Sequence, residues 1–324
     1  MAGSPPTNAD GPRGAVLVIK LGALGDFLLA QGCFAAIRAY HRHDRITLLT
    51  RDAYAQLGWE CGCFDDVVTE ARLSWRAPGN YLRILAELRQ RRFARVYDLQ
   101  RTARLRILYH LLVAGRSLEW SGVFRGCSHY VPDLPEDRRH AVDKWTSQLE
   151  AAGVVGVGPP RLDWLKGNAS RFGLARPFAL LVPGGVPRRP QKRWPAPRYA
   201  ALARYLDERG TLPVLIGTAA EASAVAEIRS LCPAAVSLLD QTSFGDIADL
   251  ARGARFAVGN DTGPMHLISL AGCSVISLYS DESDPALTKP QGPRVTILQR
   301  PDLRGLEVAD VIAALPGQRE ARPS

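Results

Sequence analysis

The stretch Val258-Gly259-Asn260-Asp261-Thr262-Gly263-Pro264-Met265-His266, late in the sequence, decides the fold class. The apolar residues 256–258 lead into it and predict a buried strand, and residues 267–271 leave it as a short helix. A strand, a tight polar turn and a helix, in that order, form the basic unit of an α/β fold. The polar and small residues at this strand end exceed what capping needs, which indicates a ligand site.

Several residues of this turn suit an anion-binding helix start. Thr262 is a favourable N-cap, Gly263 permits close backbone approach, and Pro264 fits the first turn, where a missing N–H costs nothing. The free N–H groups of the turn, together with the helix dipole, attract an anion. We expect Asp261 and His266 to flank that anion. An ordinary strand-to-helix turn also favours Asp, Thr and Gly, so capping alone stays an alternative.

The composition describes a globular protein with an excess of positive charge. The chain has 324 residues, enough for two ordinary domains, and a formal net charge of +9 that is spread over both halves. Such a charge favours an anionic partner, which is a phosphorylated small molecule, a nucleic acid or an acidic membrane surface.

The cysteines and the chain termini indicate a cytoplasmic protein. The six cysteines are scattered in mostly apolar contexts, which is typical of reduced, buried thiols. Cys61-Gly62-Cys63 has no second Cys or His pair nearby, so we expect no metal site there. Residues 1–14 are rich in Gly, Pro and Ser and predict a disordered extension without an apolar signal core. No segment reaches about 20 apolar residues, which leaves peripheral contact with a membrane open.

The first half of the chain alternates strands with helices. The apolar run 15–20 predicts a central strand, and it is followed by the glycine-bearing loop 21–26 and a helical pattern over 27–40. The loop lacks the G-x-G-x-x-G spacing of dinucleotide-binding folds. The alternation predicts a parallel, doubly wound sheet. The further elements predicted in this half are strands near 46–49, 67–68 and 96–99, and helices near 80–92, 102–113 and 137–152.

Two groups of residues in the first half are expected at the carboxyl edge of that sheet, where open α/β folds bind ligands. Asp26 lies where the first loop enters its helix, although a capping aspartate would also fit there. Gln100, Arg101 and Arg104 follow the strand near 96–99, and the arginines suit an anionic acceptor or else a solvated helix face. Nucleic acid is disfavoured because aromatic residues are sparse around these arginines.

The second half repeats the alternation after a connection rich in Gly, Val and Pro at 153–161. The loop 183–195 contains a glycine pair and four cations. Packing does not explain this composition, whereas binding of phosphate groups does. Two similar sheets in one chain imply a cleft between them. The elements predicted here are strands near 178–182, 212–217, 236–239, 256–258 and 274–279, and helices near 196–209, 220–230 and 245–252.

Taken in order, these segments resemble glycosyltransferase family 9, the ADP-heptose:lipopolysaccharide heptosyltransferases. The resemblance implies a GT-B fold, in which two Rossmann-like, doubly wound α/β domains face a central cleft. It further implies an extension at 1–14, an acceptor-binding domain at 15–160, a nucleotide-sugar-binding domain at 161–316 and a tail at 317–324. The segments that carry the resemblance are Ile19 to Asp26, Tyr97 to Gln100, His140 to Asp143, Pro183 to Gly185, Lys192 to Pro195, Asp240 to Ser243, Gly259 to His266 and Asp284-Pro285.

The resemblance also implies a reaction, in which a heptose passes from ADP-heptose to the inner core of lipopolysaccharide with inversion at the anomeric carbon. Such a transfer needs a base at the acceptor hydroxyl, which would be Asp26, and a cation at the departing diphosphate, which would be Lys192. Because Lys192 and backbone amides can neutralise the diphosphate, no metal or cofactor is required. The implied partners are the ADP-sugar donor, a lipid A-linked acceptor and the anionic inner face of the inner membrane.

The site residues implied by the resemblance divide into two sets. For the nucleotide sugar they are Gly184, Lys192, Arg193, Glu221, Asp261, Thr262, Gly263 and His266. For the acceptor they are Gly25, Asp26, Gln100, Arg101 and Arg104.

Alternatives remain open at this point. The stretch 279–285 is more acidic than the Phe-Gly-Pro-Thr-type segment common in the family, which leaves another donor or acceptor possible within family 9. A Rossmann oxidoreductase is disfavoured by the missing glycine fingerprint. A catalytically silent module that binds anionic glycolipid is disfavoured because Asp26 and Lys192 are both present.

Overall fold

The computed structural model describes residues 14–69, 78–134, 136–185 and 188–316, without the side chains of Pro78, Asn80, Tyr81 and Arg104. The extension predicted at 1–14 therefore lies outside the described residues except for its last position, and the tail predicted at 317–324 lies outside them entirely.

The chain divides into two compact units. The first comprises residues up to Leu21 together with Cys33–Asp137 and Trp145–Gly158, and the second comprises Gly22–Gly32, Arg138–Lys144 and the chain from Pro159 onwards. The domain boundary predicted between residues 160 and 161 stays a prediction. The second unit additionally takes in two short segments from the first half, one of which contains Asp26.

A six-stranded, wholly parallel sheet forms the centre of the first unit, with the strand order β3-β2-β1-β4-β5-β6. Its strands are β1 Ala15–Ile19, β2 Arg45–Thr50, β3 Asp66–Thr69, β4 Arg95–Asp98, β5 Glu119–Gly122 and β6 His129–Tyr130. The helices of the first half are α1 Leu24–Leu29, α2 Gln31–Tyr40, α3 Ala55–Glu60, α4 Pro78–Gln90, α5 Arg106–Val113 and α6 Ala141–Ala151.

A second six-stranded parallel sheet has the order β12-β11-β10-β7-β8-β9, which repeats the arrangement of the first. Its strands are β7 Phe178–Val182, β8 Leu212–Leu215, β9 Val236–Ser237, β10 Ala257–Asn260, β11 Val275–Ser280 and β12 Val295–Arg300. The helices of this half are α7 Ala196–Asp207, α8 Ala222–Leu231, α9 Phe244–Gly253, α10 Gly263–Leu270, α11 Pro285–Thr288 and α12 Val308–Ala313. The predicted class, α/β with two parallel sheets of Rossmann type, is confirmed.

The structure differs from the sequence prediction in some elements. The helix predicted over 27–40 is two helices, α1 and α2, separated at Ala30. The sequence reasoning missed strands β5, β6 and β12 and helices α3, α11 and α12. In β5 the run Glu-Trp-Ser-Gly mixes polar with apolar residues, so it lacks the continuous apolar pattern by which buried strands are recognised.

Strand β10 is paired on both sides, with β7 and β11, and helix α10 packs closely over it. Gly259 lies opposite Val182 in one register and Ser277 in the other. A Cβ on Gly259 would lie 2.5 Å from the Met265 sulfur and 2.7 Å from the Val182 Cβ. The absence of a side chain at Gly259 therefore lets α10 pack close to the strand, and this close packing fixes the position of the turn between them.

Within the described residues, no helix is long and apolar enough to cross a membrane.

We expect Gly259→Ala to destabilise the protein by about 1–3 kcal/mol, because the added methyl group overpacks the contact between α10 and β10. Urea unfolding of the purified variant measures this change. The matched control is Gly305→Ala in the same unit, where a Cβ meets nothing within 4 Å, and its stability should stay within about 0.5 kcal/mol of the wild type. Equal stability of both variants would contradict the packing constraint at Gly259.

Candidate functional site

An ion pair lies directly after the carboxyl end of β10. The Nζ of Lys192 is 2.7 Å from Oδ2 of Asp261, and the two side chains are only 11% and 12% exposed. The hydroxyl of Ser283 donates to the same Asp261 oxygen at 2.8 Å. Burial opposes ionisation of Asp261, but the hydrogen bond and charge of Lys192 outweigh it and hold the pKa of this carboxyl below its usual range. The loop 183–195, which carries four cations and is called the basic loop below, is thus joined to the end of β10 by the ion pair between Lys192 and Asp261.

Asn260, the last residue of β10, is fully buried and was missed as a functional residue by the sequence reasoning. Its Nδ2 donates to the carbonyl oxygens of Pro183 (3.0 Å) and Gly184 (2.8 Å). Its Oδ1 accepts from the backbone N–H of Trp194 at 3.1 Å and lies 3.2 Å from the Tyr199 hydroxyl. The only sequence signal was its place between a strand and Asp261, which does not reveal these distant partners.

The glycine pair at the start of the basic loop lies beside two predicted site residues. Arg193 donates from Nε to the Gly185 carbonyl at 3.1 Å, and its guanidinium makes a second contact to the same oxygen. A Cβ on Gly184 would lie 3.4 Å from the carboxyl carbon of Glu221, so that carboxylate is next to Gly184. Arg193 therefore braces the loop internally, and the Glu221 carboxylate faces the loop's first glycine.

Glu221 is held by a capping box. Its Oε2 accepts from both the backbone N–H and the hydroxyl of Thr218, each at 2.9 Å. The predicted position of Glu221 at a helix start after a Gly-Thr turn is therefore observed, and the box fixes the carboxylate's direction.

Helix α10 begins at the predicted position, with a different capping contact. Thr262 occupies the N-cap, but its hydroxyl donates to the Asn260 carbonyl at 3.2 Å and caps no helical N–H. Pro264 lies in the first turn. In this turn Pro264 has no N–H, and the Met265 N–H donates to the Thr262 carbonyl at 3.1 Å. The N–H groups of Thr262 and Gly263 are therefore the ones suited to an anion.

Helix α1 packs against α10 through glycine contacts within the second unit. A Cβ on Gly25 would lie 2.7 Å from Cδ2 of the His266 ring, and one on Gly263 would lie 2.8 Å from the Leu24 Cβ. Asp26 is in the first turn of α1 and half-buried. Among the described residues no hydrogen bond or ion pair to its carboxylate is found. The packing thus brings Asp26 to the end of α10 that carries His266.

His266 is buried and neutral at pH 7. Burial lowers its pKa to about 4, although the nearby Asp261 and Asp26 carboxylates act in the opposite direction. Its Nδ1 is buried without a hydrogen-bond partner among the described residues. The site therefore has one imidazole, without charge, between two carboxylates.

The remaining acceptor candidates belong to the first unit and make contacts within it. The Oε1 of Gln100 accepts from the Leu21 backbone N–H at 2.8 Å. The Arg101 side chain is 7% exposed and donates to the Gln148 Oε1 at 2.9 Å and to the Asp133 Oδ1 at 3.1 Å. The side chain of Arg104 lies outside the described part of the structure. Arg101 is thus a paired, internal cation, and acceptor binding by these three residues stays a prediction.

In the described ranges, no group of three or more His, Cys, Asp or Glu side chains is arranged to hold a metal ion.

The sequence is similar to curated heptosyltransferases over part of its length. A lipooligosaccharide heptosyltransferase 2 of Haemophilus influenzae is 33% identical over 115 residues, which cover 34% of this chain and 33% of that protein. The protein with the same description from Haemophilus ducreyi is 31% identical over 120 residues, again 34% of this chain and 33% of the relative. The matched segment therefore spans about a third of the length of each relative.

Two solved structures resemble the whole chain. The glycosyl transferase family 9 protein of Veillonella parvula superposes with a TM-score of 0.80 at 20% identity and covers 93% of this chain and 95% of its own. The ADP-heptose lipopolysaccharide heptosyltransferase II of E. coli gives a TM-score of 0.76 at 21% identity, with coverage of 95% and 100%. Together with the two parallel sheets, these similarities confirm the expected GT-B fold class.

The sequence model of glycosyltransferase family 9 (heptosyltransferase) matches residues 81–307. That range contains the basic loop, Glu221 and the whole turn from β10 to α10. Since it spans more than half of the chain, the protein belongs to glycosyltransferase family 9.

Proposed function

We propose that the protein is an inverting glycosyltransferase that transfers a heptose from ADP-heptose to the inner core of lipopolysaccharide. The observation that carries this proposal is the meeting of Asp26, Asp261, His266 and Lys192 at the amino end of α10. One half-buried carboxylate and one ammonium group at the same helix end are the two groups that an inverting transfer needs.

Lys192 is the group that stabilises the leaving ADP. Its ammonium has three donors, so it can keep the bond to Asp261 while it donates to diphosphate oxygens. The N–H groups of Thr262 and Gly263, at the start of α10, add partial positive charge on the same side. The ammonium of Lys192 is held in advance in a nearly buried position, where it stabilises charge that builds on the leaving group. In this scheme the ADP-sugar is a substrate, and no cofactor or metal is required.

Asp26 is the base that takes the proton of the acceptor hydroxyl. Because burial keeps the imidazole of His266 neutral, no imidazolium charge pairs with the Asp26 carboxylate. Asp261, held ionised by Lys192, is suited to accept hydrogen bonds from hydroxyls of the donor sugar. Glu221, next to Gly184, is assigned to the ribose or base of the nucleotide.

The acceptor in this proposal is anchored in a membrane by lipid A. The formal net charge of +9 supports peripheral contact with the anionic cytoplasmic face of the inner membrane, where such an acceptor would be presented. The relatives' descriptions as lipooligosaccharide heptosyltransferases support an acceptor of this class.

A second candidate is a family 9 transferase with another nucleotide sugar. The observation that favours it is Ser283, which lies in the acidic stretch 281–284 and donates to Asp261. That stretch therefore contacts the residue assigned to the donor sugar, and its carboxylates would select among sugar hydroxyls.

Calorimetric titration with ADP, UDP and GDP, without added metal, tests the donor class. We expect selective binding of ADP and a loss of ADP affinity of about tenfold or more in Lys192→Ala, since a charge-assisted hydrogen bond to phosphate is removed. The charge-matched control is Lys166→Ala, an exposed lysine of the same unit, which should bind ADP as the wild type does. A preference for UDP or GDP would retain the transferase and reject ADP-heptose, and unchanged ADP affinity in Lys192→Ala would reject its role at the diphosphate.

For Asp26→Asn we expect kcat to fall by about 100-fold or more while ADP affinity stays within twofold, because the amide cannot accept the proton. Transfer of sugar from ADP-heptose to a core acceptor is the measurement. Glu208→Gln, which removes an exposed carboxylate elsewhere in the unit, is the control and should retain full turnover. Ala23 and not Asp26 is the N-cap of α1, so the capping alternative does not apply, and full turnover in Asp26→Asn would reject Asp26 as the base.

The neutral state of His266 has a consequence for stability. Its folded pKa of about 4 lies below the value of about 6.5 in an unfolded chain, so the unfolded state binds the proton first as the pH falls. The free energy of unfolding should therefore fall by about 2 kcal/mol between pH 7.5 and 5 through this residue alone. We expect His266→Gln to lose correspondingly less stability on acidification, as measured by urea unfolding at both pH values.

The control for this comparison is His43→Gln, because His43 is exposed. Its loss of stability on acidification should equal that of the wild type. An equal loss in His266→Gln and the wild type would mean that His266 is not held neutral by burial.

A further inference from the structure

We propose that Asn260 is the positioning residue of the donor site, and that its side-chain amide holds both ends of the basic loop in place for the diphosphate. The inference rests on the proposed function for the identity of the ligand. It goes beyond that function because Asn260 itself touches neither the phosphates nor the sugar in this scheme.

The side chain of Asn260 is engaged at both its nitrogen and its oxygen. The Asn260 side chain is fully buried, and an amide offers two N–H donors and one oxygen that accepts two bonds. Its Nδ2 reaches the carbonyls of Pro183 and Gly184, and its Oδ1 is near the N–H of Trp194 and the hydroxyl of Tyr199. Both N–H donors and the amide oxygen are therefore engaged, as specification of one geometry requires.

The partners of Asn260 lie at both ends of the basic loop 183–195. Pro183 and Gly184 are its first residues, directly after β7, and Trp194 lies near its end, two residues after Lys192. One amide on β10 is thus bonded to the beginning and to the end of the same loop. The next residue, Asp261, is the partner of Lys192. The amide therefore sets where the loop's glycine pair and its lysine lie relative to Asp261.

No other common side chain reproduces these four contacts. Aspartate has nearly the same shape but would direct a carboxylate oxygen at the two carbonyl oxygens of Pro183 and Gly184. Serine is too short to reach both ends of the loop. Asn260→Asp therefore removes the two bonds at the start of the loop, while an acceptor for the N–H of Trp194 remains.

The experiment compares Asn260→Asp and Asn260→Ser with Thr211→Val. Thr211 is also buried in the second unit, next to the amino end of β8, and its hydroxyl accepts from the Arg255 guanidinium at 3.0 Å. Its removal costs a hydrogen bond away from the loop 183–194, so it controls for general loss of stability. Each purified variant is examined by thermal unfolding, by deuterium uptake of peptides that cover 183–194, and by steady-state kinetics with the ADP-sugar.

We expect faster deuterium uptake over 183–194 in both Asn260 variants, with the other core peptides protected as in the wild type. We further expect KM for the donor and the Kd for ADP to rise about tenfold or more, as for one or two lost hydrogen bonds, with KM for the acceptor unchanged. Thr211→Val should lower the melting temperature and leave loop protection and donor KM within twofold of the wild type. A merely structural role would lower the folded fraction without this split between the two KM values.

The proposal is overturned if the loop of the Asn260 variants stays as protected as in the wild type. It is also overturned if the loop loosens while ADP affinity and donor KM do not change, or if neither Asn260 variant folds. A wild type that binds no ADP would instead overturn the proposed function. In that case the deuterium uptake still decides whether Asn260 organises the loop, because that measurement needs no ligand.

Discussion

The close approach of helices α1 and α10 is the constraint on which the candidate site depends. Two glycines make it possible, since a Cβ on Gly25 would strike the His266 ring and one on Gly263 would strike Leu24. With the helices in contact, the first turn of α1 lies beside the first turn of α10. Asp26 and His266 then share one small region although they are far apart in sequence. Gly25 and Gly263 are therefore needed for the packing that brings the residues of the candidate site together.

The two nearly buried charges that follow β10 in space balance each other. The carboxylate of Asp261 and the ammonium of Lys192 are both nearly buried, and each is paired with the other. If one partner is removed, the other remains as an uncompensated buried charge, which is strongly unfavourable. His266 adds no charge beside this pair because it is neutral. In the proposed reaction, a diphosphate would meet a lysine that is already held in position, so little reorganisation would be needed.

The sequence predicted the parts of the fold that follow from local patterns. Continuous apolar runs located β1 and β7, and the Thr-Gly-Pro turn located the start of α10. The contacts that individual side chains make were less predictable, because they involve segments that are remote in the sequence. Arg193 was predicted to bind the nucleotide sugar, and its guanidinium is engaged with the Gly185 carbonyl; its role toward a ligand stays a prediction. Asn260 stood inside the opening motif and was overlooked, since its partners lie in the loop after β7 and in α7.

The strand order explains why an amide is needed at this place. In the second sheet β7 and β10 are neighbours, and the order of the chain reverses between them. At such a switch point the following connections leave toward opposite faces, which opens a crevice for ligands. The same divergence leaves backbone groups beyond the strand ends without ladder partners, here the carbonyls of Pro183 and Gly184. A side chain with two donors and an acceptor, placed on the last residue of β10, satisfies these carbonyl groups. The topology thus creates the site and also the structural problem that Asn260 solves.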